Sequence, residues 1–154
     1  GCYAMKGRYR FKNVKDALQR RMDSLDHPQW VTAMVVLIDK QPWFRWHDSG
    51  DIQSLDHLNK IFEVCRLTPE TRHWLPTREA QILKHISPAD VPSNLIIRMS
   101  SHMINQGPVK SWPWTSTVID QGYHTCPAAA QGNECRDCRQ CWNRDYSNVS
   151  YGKH

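Results

Sequence analysis

No stretch of this chain stays apolar for longer than nine residues, and the longest, Trp30 to Ile38, has Thr32 inside it. Crossing a bilayer takes ~20 residues, so no membrane-spanning helix and no membrane partner are expected. The opening Gly-Cys-Tyr-Ala-Met-Lys-Gly-Arg lacks the apolar core of a signal peptide. Internal repeats and low-complexity tracts are also absent. With 40% hydrophobic and 23% charged residues the chain reads as neither disordered nor fibrous. Its 154 residues suit a single unit with a real core. Excess charge of one sign is small: 20 Lys and Arg against 15 Asp and Glu give +5. That allows an anionic small molecule or a nucleic acid as partner without requiring either.

What is present alternates between helical and strand-like patterns. Asn13 is placed to cap a helix over 14–24, with Val14, Ala17, Leu18, Met22 and Leu25 at helical spacing. Pro28 suits the first turn of a second helix over 28–39. Trp43 to His47 reads as an aromatic strand that runs into the turn-forming Asp48-Ser49-Gly50-Asp51. Ser54 caps a helix over 55–66, and Thr71 to Leu75 reads as a second strand stopped by Pro76. A helix over 79–86, a strand over 94–99 and a fourth strand over 116–119 follow. Beyond Asp120 apolar periodicity disappears. The expected architecture is α/β: a mostly parallel sheet of βα units over 1–119, closed by a loop-rich metal-binding tail over 120–154.

Ligands of parallel sheets bind beyond the carboxyl ends of the strands. Three such ends are polar here. The first carries His47, Asp48, Ser49 and Asp51, the second Thr77, Arg78 and Glu79, and the third Ser100, Ser101 and His102. His47, Asp48 and Asp51 could do acid–base work or hold a ligand, and Arg78 could hold a carboxylate or phosphate. The competing reading is structural: the aspartates cap the next helix and His47 pairs with one of them. Trp43, Trp46, Trp74 and Trp30 read as core. Trp112 and Trp114, beside Lys110, could instead stack nucleobases.

Six cysteines are present, and four of them, Cys126, Cys135, Cys138 and Cys141, fall within sixteen residues. Cys-x-x-Cys-x-x-Cys lets successive thiolates turn onto one centre, the spacing that holds three corners of an iron–sulfur cubane, with Cys126 as the fourth. Zinc is the alternative for four thiolates. Disulfides rank last, because Cys138 could not pair with either neighbour without strain. Four thiolates on either centre carry a net charge of about −2, which leaves the loaded protein near +3. Arg136, Arg139 and Arg144 could offset that charge. Cys65 reads as a small buried hydrophobe on a helix.

Several separated segments carry a family resemblance. Gly1 to Tyr9 is similar to the Cys-Tyr-Ala segment of the gene-product-88-like proteins of bacteriophages. Phe44 to Asp51, Trp74 to Glu79, Cys126-Pro127, Cys135 to Trp142 and Asn148 to Tyr151 resemble further motifs of that family. The resemblance implies a phage-encoded protein in the cytoplasm of a bacterial host. A more distant similarity is to radical S-adenosylmethionine enzymes, which are partial (β/α) barrels, and it implies that this sheet resembles part of a (β/α) barrel. It implies that Cys2 matches the last cysteine of their cluster loop. It also sets Ser49 and Gly50, with Asp51, where those enzymes bind the methionyl amino group, so S-adenosylmethionine becomes a candidate ligand. The other two loop cysteines are missing, and a lone Cys2 cannot hold a catalytic cluster. The expectation is an iron–sulfur protein with a ligand site at the strand ends. The alternative is a non-enzymatic zinc or iron–sulfur module binding nucleic acid or a host protein.

Overall fold

The structure is a computed structural model that describes residues 7–47 and 51–153. Cys2, Asp48, Ser49 and Gly50 lie outside the described residues. The helices are α1 (Lys12–Asp23), α2 (Trp30–Ile38), α3 (Leu55–Leu67) and the single turn α4 (Ala80–Leu83). The strands are β1 (Trp43–Arg45), β2 (Arg72–Thr77), β3 (Leu95–Ser100), β4 (Thr115–Ile119) and β5 (Asn148–Gly152). They form one sheet in the order β1-β2-β3-β4-β5, every pair parallel, curled into half a barrel. The α/β expectation holds, and the sheet is wholly rather than mostly parallel.

Alternation along the strands divides the sheet into two faces. Leu75, Leu95, Ile97 and Met99 point to the helices and pack with Leu58, Ile61, Phe62 and Cys65 of α3. The helical period of those α3 residues puts them on one stripe. Ser54 starts the helix by accepting the His57 N–H at 3.0 Å. Cys65 is fully buried there, as a small hydrophobe would be, and burial pushes its thiol up to about 12. Trp74, Ile96, Arg98, Val149 and Tyr151 occupy the other face.

Local details differ from the sequence reading. Asn13 does not cap: α1 starts at Lys12, with Phe11 before it. Pro28 precedes α2 by two residues. The Trp43–His47 strand shortens to three residues, because His47 turns to φ 55. Pro76 does not stop β2. Arg72 donates to Pro42 O and Trp74 O accepts from Trp46, so alternate residues of β2 face β1. Pro76 is the next of these, beyond the last bond of that ladder, and its missing N–H costs nothing there. The helix over 79–86 shrinks to α4.

The segment after Asp120 is not coreless. It crosses the face that the helices leave bare and returns as β5, which pairs with β4 from Thr115–Asn148 to Ile119–Gly152. Thr125 and Cys126 then cover the free edge of β5: Cys126 N–H donates to Ser150 O at 2.9 Å, and Ser150 N–H to Thr125 Oγ1 at 2.9 Å. Covering an edge in this way stops it pairing with another chain.

Candidate functional site

At the carboxyl end of β1 and β2 the structure gathers part of the expected cluster. Asp51 accepts three hydrogen bonds: from Thr77 Oγ1 at 2.5 Å, from the Arg78 N–H at 2.7 Å and from the Ile52 N–H at 2.8 Å. It therefore ties the chain before α3 to the end of β2. Thr77 Oγ1 in turn accepts the Glu79 N–H at 3.0 Å. The Arg78 side chain is exposed and makes no ion pair among the described residues. Glu79 is half-buried beside α4.

His47 is held in left-handed backbone, and its buried Nδ1 has no partner among the described residues. Desolvation lowers its pKa; Asp51 raises it and Arg45 lowers it further. Its ring lies 5.6 Å from that of His57, which the sequence reading did not single out. His57 is buried, and desolvation, with His47 and Lys60 nearby, brings it to about 4. The third strand end holds no site of this kind. Ser101 is buried and donates to Gly107 O at 2.7 Å, Ser100 bonds Ser116 at 2.9 Å, and His102 is exposed. Trp112 is core as well, its Nε1 donating to Ile97 O at 2.8 Å, so it is not free to stack a base.

The second gathering lies on the face opposite the helices, where the segment over 120–147 packs. Cys135 and Cys138 are joined by a turn in which Cys138 N–H donates to Cys135 O at 2.8 Å, with Arg136 at φ 42. Such a turn brings the two residues close together. Cys141 is buried against Trp74, Ile96 and Val149, and its sulfur lies 3.1 Å from the Tyr151 hydroxyl. Trp142 packs edge-on to Trp74 at 5.0 Å and donates to Phe44 O. Burial raises the Cys126 thiol and carries Cys141 up to about 11; Cys135 and Cys138 also raise Cys126, while Cys126 and Cys135 raise Cys141. Cys126 and Cys135 are thus within electrostatic reach of Cys141, and Cys135 and Cys138 within reach of Cys126. Among the described residues, however, no three His, Cys, Asp or Glu side chains stand closely enough to hold one metal ion.

Arg98 is the residue that the sequence reading missed here. It is completely buried in β3, and all five of its N–H groups are used. Nε donates to Cys141 O at 3.0 Å, Nη1 to Tyr146 O at 2.9 Å and Thr115 O at 3.3 Å, and Nη2 to Gln140 O and Asn143 O, both at 2.8 Å. Every acceptor is a backbone carbonyl. Burial pulls its pKa down, while the neighbouring Cys141 and Tyr151 pull it up.

The known proteins can now be set against this geometry. A family profile, gene product 88, matches residues 1–144. The chain belongs to the gene product 88 family. That match covers the strand-end cluster and all four tail cysteines, and it bears out the resemblance to the phage gene-product family. No curated protein and no solved structure matches the chain. The family description carries no activity, so what this gene product 88 protein does has to be argued from its residues. No helix among the described residues is long and apolar enough to cross a membrane.

Proposed function

We propose that this gene product 88 protein is an iron–sulfur protein, related to radical S-adenosylmethionine enzymes, whose single [4Fe–4S] centre is held by Cys126, Cys135, Cys138 and Cys141. The observation that carries the reading is Arg98. A buried guanidinium that pairs with no carboxylate among the described residues is costly, because carbonyl dipoles satisfy its hydrogen bonds without cancelling its charge. Four thiolates around a metal centre supply a net charge of about −2 next to it. The donor chemistry fits: all four side chains are thiols, the soft donors such a centre takes, and thiolates gather fully only around a cation that offsets their repulsion. Such a centre supplies one-electron transfer when bound. Arg98 holds the carbonyls of Gln140, Cys141 and Asn143 and so fixes the last ligand loop on the sheet. Tyr151 holds the Cys141 sulfur.

The ligand site of this reading is the carboxyl end of β1 and β2. Asp51, saturated by its three donors, acts there as a post rather than as an acid or base. His47, whose Nδ1 has no partner among the described residues, and the exposed Arg78 are the groups left to meet a ligand, with Glu79 at the rim. The kinship with radical S-adenosylmethionine enzymes makes S-adenosylmethionine the first ligand to try.

Anaerobic purification with iron, sulfide and zinc analysis tests the reading. Brown protein with broad visible absorption and about four irons per chain is expected. One zinc per colourless chain would replace the cluster by a structural zinc site on the same thiolates. Protein free of both metals after anaerobic reconstitution would overturn the metal reading altogether.

A further inference from the structure

One cleft does not lie where the strand-end rule points. It has a volume of about 660 Å³ and sits at the opposite end of the sheet, where Trp43, Arg72 and Leu95, the first residues of β1, β2 and β3, face the segment over 137–146. That volume is the size of small-molecule sites in general. Its walls carry Arg72, Arg139 and Arg144 against one carboxylate, Asp137. None of these arginines is in an ion pair among the described residues. Two large aromatic rings on the cleft, Trp43 and Tyr146, are 38% and 42% exposed.

These arginines have different duties. Arg144 is committed to the fold: its Nη2 donates to Pro92 O and Leu95 O, both at 2.7 Å, and its guanidinium covers Trp114 at 4.6 Å. Arg139 is half committed: Nη1 reaches the carbonyls of Arg136 and Cys138, and the guanidinium lies 5.3 Å from the Trp43 ring. Arg72 is exposed, and its side chain has neither ion pair nor hydrogen bond among the described residues. Neutralising a thiolate centre would explain the buried Arg98, but not a solvent-facing Arg72 at the mouth of a cleft beside an exposed indole. A planar fork of donors next to an aromatic platform suits a phosphate joined to a flat ring.

We propose that this cleft binds a nucleotide unit, with the base stacked on Trp43 and the phosphate held by Arg72 and Arg139. The unit is either free or part of a single strand, and Trp43 and Arg72, which lie outside the proposed ligand loop, test the site apart from the metal reading. The test is a low-salt anisotropy titration of a labelled thymidine strand of about ten nucleotides, with ATP as a second probe. Saturable binding of either probe by the unmodified protein is expected. Binding of ATP alone assigns the site to free nucleotides, and binding of the strand that ATP does not displace assigns it to nucleic acid. Trp43→Leu and Arg72→Gln should each weaken binding about tenfold, and Arg72→Gln should lower the salt slope by about one. Arg72→Lys, which keeps the charge and loses the fork, should fall between, while Lys15→Gln on α1 should change nothing. Thermal melts of each variant separate lost binding from lost fold. No binding of either probe by the unmodified protein overturns the proposal, as does binding that folded Trp43→Leu and Arg72→Gln leave intact.

Discussion

Arg98 bears its charge where, among the described residues, its hydrogen bonds all go to backbone oxygens, and those oxygens come from β4 and from the long crossover behind it. Replacing it by methionine keeps much of the volume and strips five carbonyls of their donor. Arg98→Met should cost on the order of 3–5 kcal/mol in urea unfolding. Arg98→Lys should recover only part of that, since an ammonium has three donors and no fork. Histidines set a second expectation at this scale. His57 and His73 are buried, each at about 4 against 6.5 when exposed, and desolvation is the main cause. Their folded pKa is depressed, so the unfolded chain binds protons first as pH falls. Their neutral forms therefore stabilise the fold fully above about pH 6.5, and that contribution is lost as pH falls toward 4. Each shift corresponds to roughly 3 kcal/mol. Urea melts between about pH 7 and pH 5 should show stability falling, with an uptake approaching two protons on unfolding; a flat profile would contradict this. Little of this was legible beforehand. A single arginine inside Leu-Ile-Ile-Arg-Met looks like the solvent side of a strand, and only the partner that covers that face reveals otherwise.

At the scale of elements, the sequence located α2, α3 and the first four strands to within a few residues, because burial on a single helix face or both sheet faces leaves a clear apolar pattern. It did not locate β5. Asn-Val-Ser-Tyr-Gly offers two apolar side chains to one face and polar ones to an edge that Thr125 covers, so no run of hydrophobes announces it. The strand-end cluster was half legible: Asp51 and Thr77 do meet, but as a structural tie, whereas His57 joined through a helix whose apolar stripe hid it. Asp51→Ala removes an acceptor from two backbone N–H groups and one hydroxyl. It should cost about 2 kcal/mol, and hydrogen exchange at the Arg78 amide should speed up while amides of β3 stay protected. Loss of protection throughout the sheet would instead make Asp51 a global keystone.

For the whole molecule, the tail is as much a part of the sheet as the βα units are. It provides the last strand, the aromatic cover of Trp74 by Trp142 and four of the five carbonyls around Arg98. A chain cut after Ile119 should accordingly show no cooperative unfolding transition by circular dichroism; a sharp melt would mean that the βα units stand alone. If the proposed centre is present, stripping it with a chelator under anaerobic reduction should lower the melting temperature, since metal binding adds to the stability of the state that holds it. The cysteine spacing was legible at once, and the cleft was not, since it is assembled from the first residues of three strands and a loop more than forty residues downstream of the last of them.

The straight strand order also sets a clock. Tyr146, the farthest partner of Arg98, follows it by 48 residues. At ribosomal speeds of ~5–20 residues per second, that is roughly 2–10 s during which the nascent chain carries a sheet without its final strand and a cation without most of its oxygens. The exposed edge of β4 is then at its most reactive toward other chains. The arrangement that makes the sheet whole therefore makes the seconds before β5 is synthesised the period of greatest risk.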